Sequence, residues 1–323
     1  MSLPGTSEQG QAGQPIRVVF ACDEGYAMPL ATMLRSLAES NQANWPLTVH
    51  VLSNDFSAAS RERVEKSLPS GSAYIQWMQV DLTKFSHFPT LPHISAATYA
   101  RFLIPELFPA EIRRVLYLDA DMLALDDLRP VWETNLGGKP VGAARDVMDA
   151  ILKSGEAGWD DVPRVPHYFN AGMLLMDLPT WRAERVSERA MDYLVAHPKT
   201  RMSDQDALNV ACDGRWHELD QRWNFPCHRS GNLGELPAAK RPGIAHFITY
   251  RKPWLAQVRS QNASFYNQFR RRTLYARTMS ERVRDAAVSS AAGVRNLLRR
   301  LRILAEEDRA ATDTPVEQRS SNI

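Results

Sequence analysis

The chain has 323 residues, 44% of them hydrophobic, enough for one large or two ordinary domains around a sizeable core, which excludes a disordered protein. Thirty-nine Lys and Arg face 37 Asp and Glu, a formal charge of +2, and that balance argues neither for nucleic acid nor for an acidic partner. No apolar run reaches the length of about eighteen residues that a bilayer-spanning helix needs.

Residues 1–14 are polar and rich in Gly, Ser and Gln, without the basic and apolar regions of a secretory signal, and read as a disordered tail. Ile16–Ala21 is a short apolar strand. Met28–Leu37 follows with Leu30, Leu34 and Leu37 on one helical face. Leu47–Leu52 repeats the strand signal, Ala58–Leu68 the helix, and Tyr74–Val80 alternates as a strand. This β-α order predicts a parallel, doubly wound sheet. Ala96–Phe108 reads as a helix and Val115–Leu118 as a buried strand; Asn170–Met176 reads as another, with helices at Thr180–Ala196 and Gln205–Cys212. Cys22, Cys212 and Cys227 are odd in number and lack any C-x-x-C spacing, which fits a cytoplasmic protein.

Asp119 and Asp121 stand directly after the Val115–Leu118 run. Alternate residues of a strand point the same way, so both carboxylates can meet one hard divalent cation where the strand leaves the sheet. Twenty Asp in the chain yield about one D-x-D by chance, and a second occurs at Asp204 and Asp206, so the competing reading is a solvated acidic turn. The strand end favours the first pair, because ligands of open α/β sheets gather at carboxyl ends of strands. Near the end of the compact region, His246-Phe247-Ile248-Thr249-Tyr250-Arg251-Lys252-Pro253-Trp254 offers an imidazole for a metal and an ammonium for a diphosphate. Taken singly, His246 reads better as a strand histidine and Lys252 as a surface charge.

Six blocks in order now define a resemblance: FACDEGY at Phe20–Tyr26, HISAATYARF at His93–Phe102, VLYLDAD at Val115–Asp121, YFNAGMLLMDL at Tyr168–Leu178, SDQDALN at Ser203–Asn209, and His246–Trp254. Together they resemble glycosyltransferase family 8, retaining nucleotide-sugar transferases that include bacterial lipopolysaccharide galactosyl- and glucosyltransferases and, distantly, glycogenin. The resemblance implies an α/β, Rossmann-like nucleotide-diphospho-sugar transferase fold of the single-sheet-centred glycosyltransferase A type. It implies that Ala21, Asp23 and Tyr26 hold uridine, that Arg101 lies close to the nucleotide-sugar, and that Asp119, Asp121 and His246 bind Mn²⁺, or Mg²⁺ in its place. Lys252 is expected on the diphosphate; Asp146, Asn170, Ala171, Asp204 and Gln205 are expected on the donor sugar, with Gln205, Asp204 and Asp146 the catalytic candidates. The implied donor is UDP-galactose or UDP-glucose and the acceptor a lipid-linked glycan. Gly25 stands where relatives often carry Asn, and Thr249 where they carry Gly, so a Cβ occupies a place of close backbone approach to phosphate.

The expected organisation is a tail at 1–14, a transferase domain at 15–269, a basic helical module at 270–305 and a disordered tail at 306–323. Ten Arg and two acids lie between Arg270 and Arg302. Val294, Leu297, Leu298, Leu301 and Leu304 share one helical face opposite Arg295, Arg299 and Arg302, which predicts a basic amphipathic helix for an anionic membrane surface. The rival for that helix is packing on the domain or on another chain. Two other functions compete with transfer: a non-catalytic nucleotide-sugar-binding module, and a haloacid-dehalogenase-type phosphatase using Asp119 as nucleophile. The latter expects Thr or Val where Leu123 stands.

Overall fold

The computed structural model describes residues 15–89, 96–155, 158–227, 231–256, 258 and 260–290. The tail expected at 1–14, the amphipathic helix expected at 294–304, the tail expected from 306 and the His93–Ser95 start of the second block lie outside the described residues.

The first half alternates as the hydrophobic pattern requires: β1 (Arg17–Ala21), α1 (Ala27–Ser40), β2 (Leu47–Ser53), α2 (Ala58–Glu65) and β3 (Ala73–Gln79). Residues Ala96–Leu103 then wind as a 3₁₀ helix that passes into α3 (Ile104–Leu107), where one α-helix is expected. Pro105 has no N–H to donate to the carbonyl four residues back, so the α-ladder cannot run through this point. The chain continues through β4 (Arg114–Leu118), β5 (Met122–Ala124), α4 (Arg129–Trp132), β6 (Val141–Ala143), α5 (Val147–Ser154) and β7 (Met173–Asp177). It ends with α6 (Leu178–Ala183), α7 (Val186–Ala196), α8 (Asp204–Ala211), β8 (Trp216–Glu218), β9 (Phe225–Pro226), β10 (Ile244–His246) and α9 (Ala263–Arg270). The single helix expected over Thr180–Ala196 is two, because Arg185 takes a left-handed backbone with φ of 51° between α6 and α7.

A seven-stranded sheet of order β3-β2-β1-β4-β7-β6-β8 forms the centre, and β5-β10-β9 form a second, small sheet. Alternate residues of β4 feed opposite cores: Val115 and Tyr117 pack on one side, Leu116 and Leu118 on the other. The central sheet is not wholly parallel as expected, since β7 runs antiparallel to both β4 and β6. A parallel return needs a crossover packed on the sheet face. Between β6 and β7, α5 instead packs with Val162 and Tyr168 in its own small cluster, and the chain re-enters the sheet from the same end.

That reversal positions the site. Leu118, the last residue of β4, pairs with Met173, the first of β7, so the lead-in Asn170-Ala171-Gly172 arrives beside Asp119. Leaving β4, the chain crosses into β5, whose Met122 pairs with His246 at the end of β10. Residues 124 positions apart in sequence thus meet by strand pairing.

After α9, which packs on α1, the chain stays on the domain: Arg272 pairs with Glu39 at 2.6 Å, Leu274 N donates to Ser67 Oγ at 3.0 Å, and Arg63 lies 4.0 Å over the Tyr275 ring. Residues 279–290 are helical and expose Met279, Val283 and Val288. Among the described residues no helix is long and apolar enough to cross a membrane.

Candidate active site

A cavity of about 700 Å³ opens at the carboxyl end of β4. Ala21, Asp23, Tyr26, Arg101, Asp119, Asp121, Asp146, Asn170, Ala171, Asp204, Gln205, His246 and Lys252, every expected site residue, line it. Among the described residues, five carboxylates face it against the three cations Arg101, Arg201 and Lys252, an excess of two negative charges that suits a divalent cation.

Each carboxylate of the strand-end pair has one oxygen tied to the protein and one turned inward. Asp119 Oδ1 accepts from Tyr117 Oη at 2.7 Å and from Arg101 Nη2 at 3.1 Å, leaving Oδ2. Asp121 Oδ2 takes the Lys252 ammonium at 2.5 Å, while Oδ1 is buried with no hydrogen-bond partner. His246 Nε2 stands 3.2 Å from that Oδ1 and 3.9 Å from Asp119 Oδ2. Three ligand atoms, two hard oxygens and one imidazole nitrogen, therefore converge within 4.8 Å of one another. An unsatisfied buried carboxylate oxygen is costly unless a cation completes it, so these residues fit Mn²⁺ or Mg²⁺.

The charges of the site are set by burial and pairing. Burial opposes ionisation of Asp121, but the adjoining Lys252 ammonium draws its carboxyl well below the usual carboxylate range. For Asp119, burial dominates over the attraction of Arg101, Asp121 adds repulsion, and its pKa lies above the ordinary value. Burial raises Asp204 likewise, against the attraction of Arg101. Arg101 is 3% exposed and is desolvated, yet Asp204 at 3.1 Å, Tyr117 and Asp119 keep it charged. It also donates to Ala171 O at 2.6 Å, so one buried guanidinium fixes both carboxylates and the lead-in to β7.

On the other side of the cavity the groups are neutralised among themselves. Asp146 caps α5, Oδ1 accepting from Met148 N at 2.7 Å, and its Oδ2 accepts from Asn170 Nδ2 at 2.6 Å. Gln205 Oε1 accepts from Ala171 N at 3.0 Å, and Asp204 Oδ1 accepts from Thr98 Oγ1 at 3.0 Å. Asp206, the other half of the second D-x-D, faces away: its side chain accepts from Tyr168 Oη, Thr200 Oγ1 and Met202 N inside the core. Tyr26 packs edge-on against Trp254, and Thr249 lines the cavity where the resemblance places glycine. His167 is exposed and outside the cavity lining, while Trp181, Trp216 and Trp223 are core residues.

Four contributors escape motif reading. Tyr117 and Thr98 look like core and helix residues in sequence, yet their hydroxyls hold Asp119 and Asp204. Asn224 sits behind His246, its Oδ1 2.8 Å from Nδ1. At Gly172 a Cβ would collide with His246 Cε1 and fall 2.8 Å from Asp119 Oδ2, so the backbone there makes room for the ligands. A glycine opening a buried strand next to Asn170-Ala171 is the one sequence signal among these four.

The sequence profile of glycosyl transferase family 8 matches residues 17–257. The chain is similar to general stress protein A of Bacillus subtilis, 28% identical over 254 residues that cover 74% of this chain and 87% of that protein. It is similar also to the lipopolysaccharide 1,3-galactosyltransferase of Salmonella typhimurium, 25% identical over 252 residues, 73% of this chain and 72% of that one. Among solved structures, the galactosyltransferase LgtC in complex with donor and acceptor sugar analogs superposes with a TM-score of 0.68 at 27% identity, over 80% of this chain and 96% of that one.

Proposed function

The chain belongs to glycosyl transferase family 8, and we propose that it is a retaining hexosyltransferase moving galactose or glucose from a UDP-sugar to a cell-surface glycan such as lipopolysaccharide, with Mn²⁺. The observation that carries the metal-dependent reading is the convergence of Asp119 Oδ2, Asp121 Oδ1 and His246 Nε2 at the mouth of a nucleotide-binding sheet. Family membership displaces the phosphatase reading, and an intact Asp119, Asp121, His246 and Lys252 set argues against a module that only binds.

When bound, the divalent ion would stabilise negative charge on the departing diphosphate. Lys252, 131 residues from Asp121 in sequence but in contact with it, supplies a second positive charge at the same place. Tyr26, Asp23 and Ala21 border the end of the cavity that would take uridine; Asp146, Asn170 and Gln205 border the end that would take the sugar. The anomeric carbon loses its bond to the phosphate oxygen, which leaves with the electron pair, and gains a bond to the acceptor hydroxyl oxygen. Asp204 is paired with Arg101, Asp146 caps a helix, and Gln205 is an amide, so among the described residues no free carboxylate stands ready as nucleophile on the sugar side. Same-face attack, with a leaving phosphate oxygen taking the acceptor proton, agrees best with that arrangement.

Membrane contact rests on the sequence of the C-terminal module together with the exposed Met279 and Val283 beside Arg282 and Arg284. It puts the enzyme at the cytoplasmic face of an anionic membrane, where a lipid-linked acceptor is reached without extraction. A panel of UDP-sugars assayed for UDP release with and without Mn²⁺, with anomeric analysis of the product, tests the assignment. Release from one hexose donor, dependent on the metal and giving an α-linked product from an α-linked donor, is expected. Metal-independent release or an inverted product refutes it.

A further inference from the structure

We propose that Asn224 is the positioning residue that sets the tautomer of His246 and, through Asn170, ties the metal-facing half of the cavity to its sugar-facing half. The proposal deepens the metal reading above and rests on it.

The backbone N–H of Gly172 donates to Asn170 Oδ1 at 3.0 Å, which fixes the Asn170 amide. Its Nδ2 is then the end that meets the Asp146 carboxylate at 2.6 Å, an acceptor, so both ends agree. Asn224 lies 2.8 Å from the same Asn170 Oδ1 and must present its NH₂ there. Its carbonyl oxygen is left facing His246 Nδ1 at 2.8 Å. A carbonyl only accepts, so Nδ1 carries the proton, and in the neutral ring Nε2 then keeps its lone pair toward Asp119 Oδ2 and Asp121 Oδ1.

The alternative tautomer would suit the free protein better locally, because an Nε2–H could satisfy the partnerless Asp121 Oδ1. Asn224 holds the ring against that choice and keeps the nitrogen available to a cation. No solvent replaces it: Asn224 is 2% exposed, His246 3% and Asn170 9%. Strand pairing aligns the pieces, since Asn224 immediately precedes β9, whose Phe225 pairs with Ala245 of β10. One chain of hydrogen bonds thus runs from a metal-ligand ring through two amides to Asp146 and, at 3.4 Å, Gln205.

Replacing Asn224 by Asp keeps an acceptor for Nδ1 but removes the donor to Asn170, which separates the two halves. Mn²⁺ affinity of the full chain, read from the paramagnetic resonance of free Mn²⁺ without nucleotide, should fall about ten- to a hundredfold in Asn224→Ala and be retained in Asn224→Asp. Asn224→Asp should nonetheless lose the added affinity of UDP-galactose or UDP-glucose over UDP. Nitrogen-15 ring spectra, which need no metal, should show Nδ1–H at His246 in the native chain and a shift toward Nε2–H in Asn224→Ala. In a His246→Ala background, Asn224→Ala should cost no further Mn²⁺ affinity. Nε2–H in the native chain, loss of Mn²⁺ in Asn224→Asp, or an undiminished Asn224→Ala effect without the His246 ring each overturns the proposal. Failure of the native chain to bind Mn²⁺ with Nδ1–H intact would sink the metal reading and leave the tautomer assignment standing.

Discussion

Lys252→Met is expected to tighten Mn²⁺ binding to the nucleotide-free chain while weakening UDP, opposite signs from one substitution. The Lys252 ammonium lies 2.5 Å from Asp121 Oδ2, both side chains about one-tenth exposed, and Phe247 O holds it there at 2.6 Å. At an effective dielectric of about 20, two unit charges at that separation attract by roughly 7 kcal/mol. Desolvation of a buried pair offsets most of this, so a net pairing of about 1–2 kcal/mol is the reasonable scale. A cation drawing on Asp121 must compete with that pairing until a diphosphate offers the ammonium another partner. Methionine keeps the length and packing of the lysine stem without its charge, so Mn²⁺ affinity should rise about five- to thirtyfold. UDP affinity at saturating Mn²⁺ should drop by at least about tenfold through loss of the charge-assisted contact. Paramagnetic resonance for free Mn²⁺ and calorimetry for UDP read the two effects, with the melting temperature as a control for folding. Unchanged or weaker Mn²⁺ binding in Lys252→Met would show that the ammonium does not contend for Asp121, and the reasoning would fail.

Asp119→Asn and Asp121→Asn should each cut turnover at least about a hundredfold at a near-native melting temperature, the scale of losing charge stabilisation at a leaving group; near-normal turnover in either removes that residue from the chemistry. Gly172→Ala should fold and yet bind Mn²⁺ poorly, because its Cβ enters the space of His246 and Asp119; native metal affinity would show that the ring can move aside. Asp149 is buried, which raises its pKa, but bonds from Lys153, Tyr168 N and Arg145 outweigh burial and lower it. Its stabilisation is therefore present above the ordinary aspartate value of 3.8 and lost as pH falls below it, so Asp149→Asn should flatten the acid limb of the melting profile. A chain ending at Ala276 should keep donor hydrolysis and lose salt-sensitive co-sedimentation with anionic vesicles, each basic residue contributing about 1 kcal/mol at most; equal sedimentation of the two forms would dismiss the membrane role.

What could be read from sequence follows from the range of the forces involved. β1, β2, β4 and β7 are buried on both faces, so their apolar runs are visible without any partner. β5, β9 and β10 span two or three residues each, too few for any period, and their pairing is what carries His246 to Asp121 and Asn224 to His246. The metal ligands could be found because a strand end and a block resemblance pointed to them; Asn224, between Trp223 and Phe225, lies in none of the six blocks.

The two D-x-D pairs make the point sharply, since their spacing is the same. Asp119 and Asp121 lie in the tight link between β4 and β5, and the pairing of β5 with β10 brings both to His246 at the cavity. Asp204 and Asp206 open α8, and on a helix residues two apart diverge by about 200°. Asp204 accordingly meets Arg101 in the cavity, and Asp206 turns into the core to bind Tyr168 and Thr200. Spacing alone carries no chemistry here; the backbone period beneath it decides whether two carboxylates share a ligand or part company.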